Sequence, residues 1–289
     1  MKHLISILKS IPALIKYKVS LAVTFTTVIG YLIYTGSFSF DIVALVLSVF
    51  ILAGGASALN EYQERNFDAL MDRTKHRPIP SGKISPLNAL LVSLLFILAG
   101  VSLLYLFFGI IPALLGLFNI IWYNLLYTFL KRVTAFAVVP GSLTGAVPAL
   151  IGWTAAGGYI FDAKIIIIGF FLFIWQVPHF WLLLIKYSKE YETAGYPSIY
   201  KVIQKENLKL IIFVWIIATS VTTLMFPLFR IITSIPYFIA LLILNIWLVI
   251  TFTRLTFNMQ YEINFKKAFI TINLFMFLFM LLLTIGAFL

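Results

Sequence analysis

Asn60, Glu64, Asp68 and Asp72 recur every four residues, and Glu61 stands one turn ahead of Glu64. On a helix each step of four turns through about 400°, so the group drifts only about 40° per step and keeps to one face. One stripe would then carry a carboxamide and several carboxylates. Carboxylates packed that closely repel one another and take up protons unless a cation relieves them. Oxygen-only ligands suit Mg2+, which takes one or two carboxylates and fills its other positions with water and substrate phosphates. The next residues suit the other half of such a ligand. Arg73, Lys75, Arg77 and Lys83 follow directly, and Lys131-Arg132 come later. Guanidinium groups hold phosphate oxygens in pairs, so the stretch from Asn60 to Lys83 has the composition of a Mg2+-diphosphate clamp. A solvated charged loop with i,i+4 ion pairs is the competing reading, and it is preferred for Arg65, Lys75 and Lys83.

These charges sit in an oily chain. Hydrophobic residues make up 62% of its 289 and charged residues 11%, against about 25% charged in a soluble domain. Apolar runs of membrane-spanning length predict nine helices, near 18–35, 41–60, 87–108, 111–128, 138–157, 163–185, 208–228, 235–254 and 268–288. The runs are continuous instead of alternating, which excludes a β-barrel. The expected fold is therefore all-α, a single polytopic membrane domain over residues 1–289. With nine spans, 19 of the 21 lysines and arginines fall on one side, and only Lys164 and Arg230 on the other. The positive-inside rule then puts the N-terminus in the cytoplasm and the C-terminus outside. The same asymmetry accounts for the net charge of +11 without nucleic acid. Eight of the ten acids share the basic side, in loops 60–85 and 186–206 and beyond. The absence of cysteine removes thiol catalysis and disulfides. The basic N-terminus lacks the cleavage site of a signal peptide and reads as a membrane-surface segment, His3 included. His76 reads as an exposed loop residue.

Local signals support these spans. Ser85-Pro86 has the form of a helix cap followed by proline at the first helical position. Gly54-Gly55-Ala56 allows close helix contact. VVPGSLTGAVPALIGW, with Pro140, Gly141, Gly145 and Pro148, predicts a bent fifth span, either bordering a cavity or simply packed.

NEYQERNFDALMDRTKHRP resembles the first acidic motif of the UbiA superfamily of intramembrane prenyltransferases, Asn-Asp-x-x-Asp-x-x-x-Asp followed by Met-x-Arg-Thr-x-x-Arg-Pro. Asn60, Glu61, Glu64 and Asp68 take the four polar positions, with Glu for Asp twice. Met71, Arg73, Thr74, Arg77 and Pro78 match the run that follows. Within the superfamily three stretches are similar to the protoheme IX farnesyltransferase branch: PIPSGKIS after the first motif, Tyr127 to Gly158, and FIWQVPHFWLLLIKYSKEYETAGYPSI from Phe173. Other branches carry Asp-x-x-x-Asp in the second polar loop. Here only Glu190 and Glu192 stand there, and Glu190 takes the place of an Asp. The resemblance covers residues 15 to 200 and extends to the C-terminal part by hydropathy alone.

The resemblance implies nine transmembrane helices around a central cavity, in a bacterial cytoplasmic membrane, with chemistry near the cytoplasmic face. It implies transfer of farnesyl from farnesyl diphosphate to a vinyl group of protoheme IX (haem b), with addition of water, giving haem o. Mg2+ is the implied cofactor, held by Asn60, Glu64 and Asp68, with Glu190 added from the second loop. Arg73, Arg77, Lys131, Lys186 and Lys189 are the candidates to neutralise the diphosphate. Tyr123, Tyr127 and Trp175 offer aromatic faces to a cation. His179 either contacts haem or bonds between helices beside a proline kink. Gln176 either binds a polar group of a substrate or bridges helices. Haem-modifying or oxidase-assembly proteins are the implied partners. The alternatives are a superfamily enzyme acting on a quinone precursor, a transporter with a charged gate, and a haem-binding assembly factor.

Overall fold

The computed structural model describes residues 9–257 and 264–288. The expectation for His3 lies outside them. Among the described residues nine helices are long and apolar enough to cross a membrane. They are α1 Tyr17–Thr35, α2 Asp41–Asp68, α3 Pro86–Phe108, α4 Ile110–Leu130, α5 Ala135–Ala155, α6 Ala163–Lys186, α7 Glu206–Phe229, α8 Ile235–Phe257 and α9 Phe265–Gly286. Each falls on one of the nine expected spans. The largest departure is α2, which runs eight residues past its expected end. Its 28 residues reach about 42 Å at 1.5 Å each, beyond the roughly 30 Å of a bilayer core. The polar stripe is therefore the last part of a membrane helix, not a loop.

Each helix packs on the next along the chain, and α9 returns to α1, closing a ring. Contacts of α1 with α5 and of α6 with α9 cross its interior. The first crossing brings backbone to backbone. A Cβ on Gly30 would lie 2.1 Å from the Ala149 carbonyl oxygen, and one on Gly152 would lie 1.8 Å from that of Thr27. No other residue fits at either place, which fixes the spacing of the two helices that flank the cavity.

The local signals act as their chemistry suggests. The Ser85 side chain accepts from the Asn88 amide at 3.3 Å and Pro86 opens α3. Asp162 caps α6 by accepting from the Lys164 amide at 2.8 Å. In α5 a 3-10 turn, Ala135–Ala137, precedes Val138–Gly141, and the regular helix resumes at Leu143–Ala155 with Pro148 inside. The regular helix is interrupted at Ser142, and the part after it borders a cavity.

α4 holds an arrangement that no periodicity announced. Ile121–Tyr127 is π-helical, and Thr128 Oγ1 donates to the Tyr123 carbonyl at 2.9 Å. Widened turns of this kind gather at functional sites. Tyr123 and Tyr127 lie within it, and both line a cavity inside the ring.

Candidate active site

A cavity of about 350 Å3 opens among α1, α2, α4, α5 and α6. Its mouth carries Lys16, Asn60, Glu64, Asp68, Arg73, Arg77 and Lys131, and its inner walls include Val23, Val49, Leu52, Ile120 and Ile151. Three of the four residues of the i,i+4 stripe thus face one space. Asp72 does not; it lies beyond the helix end in an exposed pair with Lys75 at 2.5 Å. That hydrogen bond and charge hold its carboxyl below the usual range.

A polar seam fixes the rotation of α2 that aims the stripe. Asn60 Nδ2 donates to Thr128 Oγ1 at 3.1 Å, and Asn124 Nδ2 donates to the Ala56 carbonyl at 3.1 Å. Gln63 Nε2 donates to the Asn124 carbonyl at 3.0 Å, and Arg132 to that of Gln63 at 2.8 Å. Buried polar groups must find such partners, so the seam allows one register of α2 against α4.

Each of the three stripe residues that face the cavity has a basic partner. Lys16 Nζ donates to Asn60 Oδ1 at 2.8 Å. Lys131 forms an ion pair with Glu64, to which Tyr196 also donates at 3.3 Å. Arg77 Nη1 donates to Asp68 Oδ2 at 2.6 Å. Burial works against the Arg77 and Lys131 charges, but Asp68 and Glu64 respectively outweigh it and push both pKa values up. For Lys16 the Glu64 and Asp68 charges also act upward but do not make up for burial. Burial, helped by the positive charge of Arg77, brings its ammonium down to about 7. Lys16 also stands at a positive φ of 47° ahead of α1, a strained conformation for a side-chain-bearing residue and one that clusters at working sites. Sequence reading missed Lys16, because it looks like one more membrane-surface lysine.

Aromatic rings line the way inward. Tyr123 and Tyr127 stack at 6.0 Å, and Tyr127 and Phe180 at 6.2 Å. The glycines of α5 make room for them. A Cβ on Gly141 would meet the Tyr127 ring at 2.4 Å, and one on Gly145 would meet Gln176 Oε1 at 1.4 Å. Gln176 therefore lies on the cavity wall, beside Thr144 and Asn119 of the same lining. Tyr191 and Tyr196 also line the cavity and were not anticipated.

Five candidates, Trp175, His179, Lys186, Lys189 and Glu190, stand off the cavity wall. His179 is between α6 and α9, stacked on Trp175 at 4.9 Å and near Phe269 at 5.1 Å. Trp175 donates to the Ile272 carbonyl at 3.1 Å. Lys186 and Lys189 are exposed, with the Lys186 ammonium over Tyr187 at 4.9 Å. Glu190 Oε2 accepts from the Arg73 amide at 2.9 Å. His76 is exposed, as expected.

Among the described residues no three His, Cys, Asp or Glu side chains cluster closely enough to ligate one ion unaided. The donor set nevertheless suits Mg2+. Two carboxylates and a carboxamide on successive turns of α2 share one cavity, and a phosphate-bound Mg2+ needs no more from protein. Beside them, the cations of Lys16, Arg73, Arg77 and Lys131 suit a polyanion. The arrangement can bind a diphosphate at its mouth and an apolar chain within.

The sequence model of the UbiA prenyltransferase family matches residues 23–281. A protoheme IX farnesyltransferase of Nitratidesulfovibrio vulgaris (strain DP4) is 34% identical over 222 residues, 77% of either chain. That of Geobacter sulfurreducens is 41% identical over 182 residues, 63% of this chain and 67% of its own. A solved structure described as a digeranylgeranylglyceryl phosphate synthase in membranes superposes with a TM-score of 0.79. It is 19% identical and is covered over 99% of its length by all of this chain. A UbiA homologue from Archaeoglobus fulgidus, bound to GPP and Mg2+, superposes with a TM-score of 0.67 at 14% identity, over 96% of this chain and 99% of its own. At those identities the structures speak for the fold, and the family match over most of the length speaks for descent. This chain belongs to the UbiA prenyltransferase family.

Proposed function

We propose that this enzyme transfers farnesyl from farnesyl diphosphate to a vinyl group of haem b, with addition of water, and releases haem o and diphosphate. The observation that carries the prenyl half is the cavity itself, a cation-rich, oxygen-lined mouth over an apolar, aromatic interior. The haem half is supported by relatives named protoheme IX farnesyltransferase at 34% and 41% identity. The proposed setting is a bacterial cytoplasmic membrane, with the N-terminus and the cavity mouth at the cytoplasmic face. The excess of lysine and arginine in the connections on that side supports this orientation.

Arg73, Arg77, Lys131 and Lys16 would bind the diphosphate and spread the charge that grows on it as the C1–O bond breaks. Donors fixed in place before the reaction stabilise such charge most effectively, each contributing about 10^2- to 10^3-fold in rate. Asn60, Glu64 and Asp68 would hold Mg2+, which supplies further positive charge to the phosphate oxygens. The stacked faces of Tyr123, Tyr127 and Phe180 would lie along the allylic cation. Val23, Val49, Leu52, Ile120 and Ile151 would house the farnesyl chain and exclude water from C1. The terminal vinyl carbon forms the new bond to C1. Water then adds to the cation left beside the porphyrin ring and gives up one proton.

Purified protein supplied with Mg2+, farnesyl diphosphate and an equal mixture of haem b and an aromatic quinone precursor would test the acceptor. Mass spectrometry should find the haem carrying farnesyl and water, with the aromatic compound unchanged. Prenylation of the aromatic compound with the haem unchanged would overturn the haem assignment.

A further inference from the structure

Arg73 and Arg77 stand on the segment between α2 and α3, which is built of turns. Within it, the amides of Thr74, Lys75 and Arg77 bond to main-chain carbonyls of the same segment. Two other amides bond to carboxylates from elsewhere. The Ile79 amide donates to Glu61 Oε1 at 3.0 Å, and the Arg73 amide donates to Glu190 Oε2 at 2.9 Å. These two grips bracket Arg77. Glu61 belongs to α2 and is fully buried. Glu190 belongs to the short helix Ser188–Thr193 beyond α6. Pro78 and Pro80 have no amide to donate, and the amides of Ser81, Gly82, Lys83 and Ile84 bond within the turns themselves.

The second loop supports the same grip with more than one contact. Met71, Ala194 and Tyr196 form a buried apolar cluster, joined by Phe67 and Tyr191. The Arg73 guanidinium lies over the Tyr187 ring at 5.0 Å. Backbone and head group of Arg73 are thus both held from the loop that follows α6. Glu190 itself stands off the cavity wall that Asn60, Glu64 and Asp68 share.

We propose that Glu190 is a positioning residue that clasps the backbone of the arginine-bearing segment, opposite Glu61, and is not a ligand of the metal. The clasp sets where Arg73 and Arg77 meet the diphosphate. It rests on the proposed part of those arginines in binding prenyl diphosphate, and it does not depend on the acceptor.

The test uses the full chain in lipid nanodiscs, with Glu190→Ala and Glu190→Gln. Two quantities are read without any acceptor: hydrogen exchange of peptides covering residues 70–78, and binding of farnesyl diphosphate across a Mg2+ titration. A glutamine keeps a carbonyl oxygen for the Arg73 amide but surrenders the charge that a metal ligand needs. Glu190→Ala should speed exchange and weaken farnesyl diphosphate binding about tenfold, on the scale of one lost charge-assisted hydrogen bond. Its half-saturating Mg2+ concentration should stay that of the wild type. Glu190→Gln should recover both exchange and binding. A raised half-saturating Mg2+ concentration in both variants would overturn the clasp in favour of a metal ligand. So would unchanged exchange in Glu190→Ala. Exchange needs no substrate, so a wild type that bound no prenyl diphosphate would defeat the proposed function and still leave the clasp decided.

Discussion

Asp68 is 1% exposed and its partner Arg77 22%, so removing the arginine strands a carboxylate with little water to fall back on. Breaking a buried pair from one side costs about 3–5 kcal/mol. Arg77→Ala should lower the unfolding temperature in detergent, and Asp68→Ala/Arg77→Ala should win back part of that loss. Farnesyl diphosphate turnover should return in neither, because the proposed Mg2+-diphosphate site takes both groups. Lys16→Met keeps the length of the side chain and removes its charge. It should raise the KM for farnesyl diphosphate by about tenfold, one anion contact's worth, with the fold intact by circular dichroism. An unchanged KM would remove Lys16 from the diphosphate site. The sequence announced the Asn60, Glu64 and Asp68 stripe through its spacing. It could not announce Lys16, which stands at a left-handed turn ahead of α1 and reaches Asn60 of α2. Glu190 could not be placed from sequence for a related reason. Its motif position suggests a metal, while its carboxylate reaches an amide 117 positions earlier in the chain.

Helices set where these groups can stand. Gly152 lets α5 touch α1, with the Thr27 oxygen 1.8 Å from the place a Cβ would occupy. Overpacking a tight contact costs about 1–3 kcal/mol, and here the obstacle is backbone, which yields least. Gly152→Val should therefore lower thermal stability and also activity, since α1 carries the Lys16 turn and α5 the wall behind Gln176. Gly157→Ala, at a φ of +93° with nothing within 4 Å, should lower stability through backbone strain alone and leave turnover per folded molecule near normal. Equal loss of specific activity in both would refute the role assigned to the α1–α5 contact. Spans were legible because apolar length is a local property of the chain. The interruption of α5 was legible from its prolines and glycines. The π-helical turn of α4 was not, because it depends on Thr128, Asn124 and their partners on α2 meeting across the bundle.

For the whole molecule, the ring that nine helices close among the described residues leaves the bilayer orientation to be read from charge. The chain has no cysteine, so single introduced cysteines report without background. In sealed inverted vesicles, Lys83→Cys should react with a membrane-impermeant thiol reagent and Phe38→Cys should not. The reverse pattern would invert the topology and put the cavity mouth outside. The central claim, that the α2 stripe and its cations transfer farnesyl to haem, has a more direct test. Haems are extracted from membranes of a strain lacking any such enzyme and supplied with either the wild-type chain or Asp68→Ala, then weighed by mass spectrometry. The wild type should yield haem heavier by one farnesyl and one water, and Asp68→Ala should yield haem b alone while purified Asp68→Ala still binds haem. Unmodified haem from the wild type, or farnesylated haem at near-normal level from Asp68→Ala, would contradict the account.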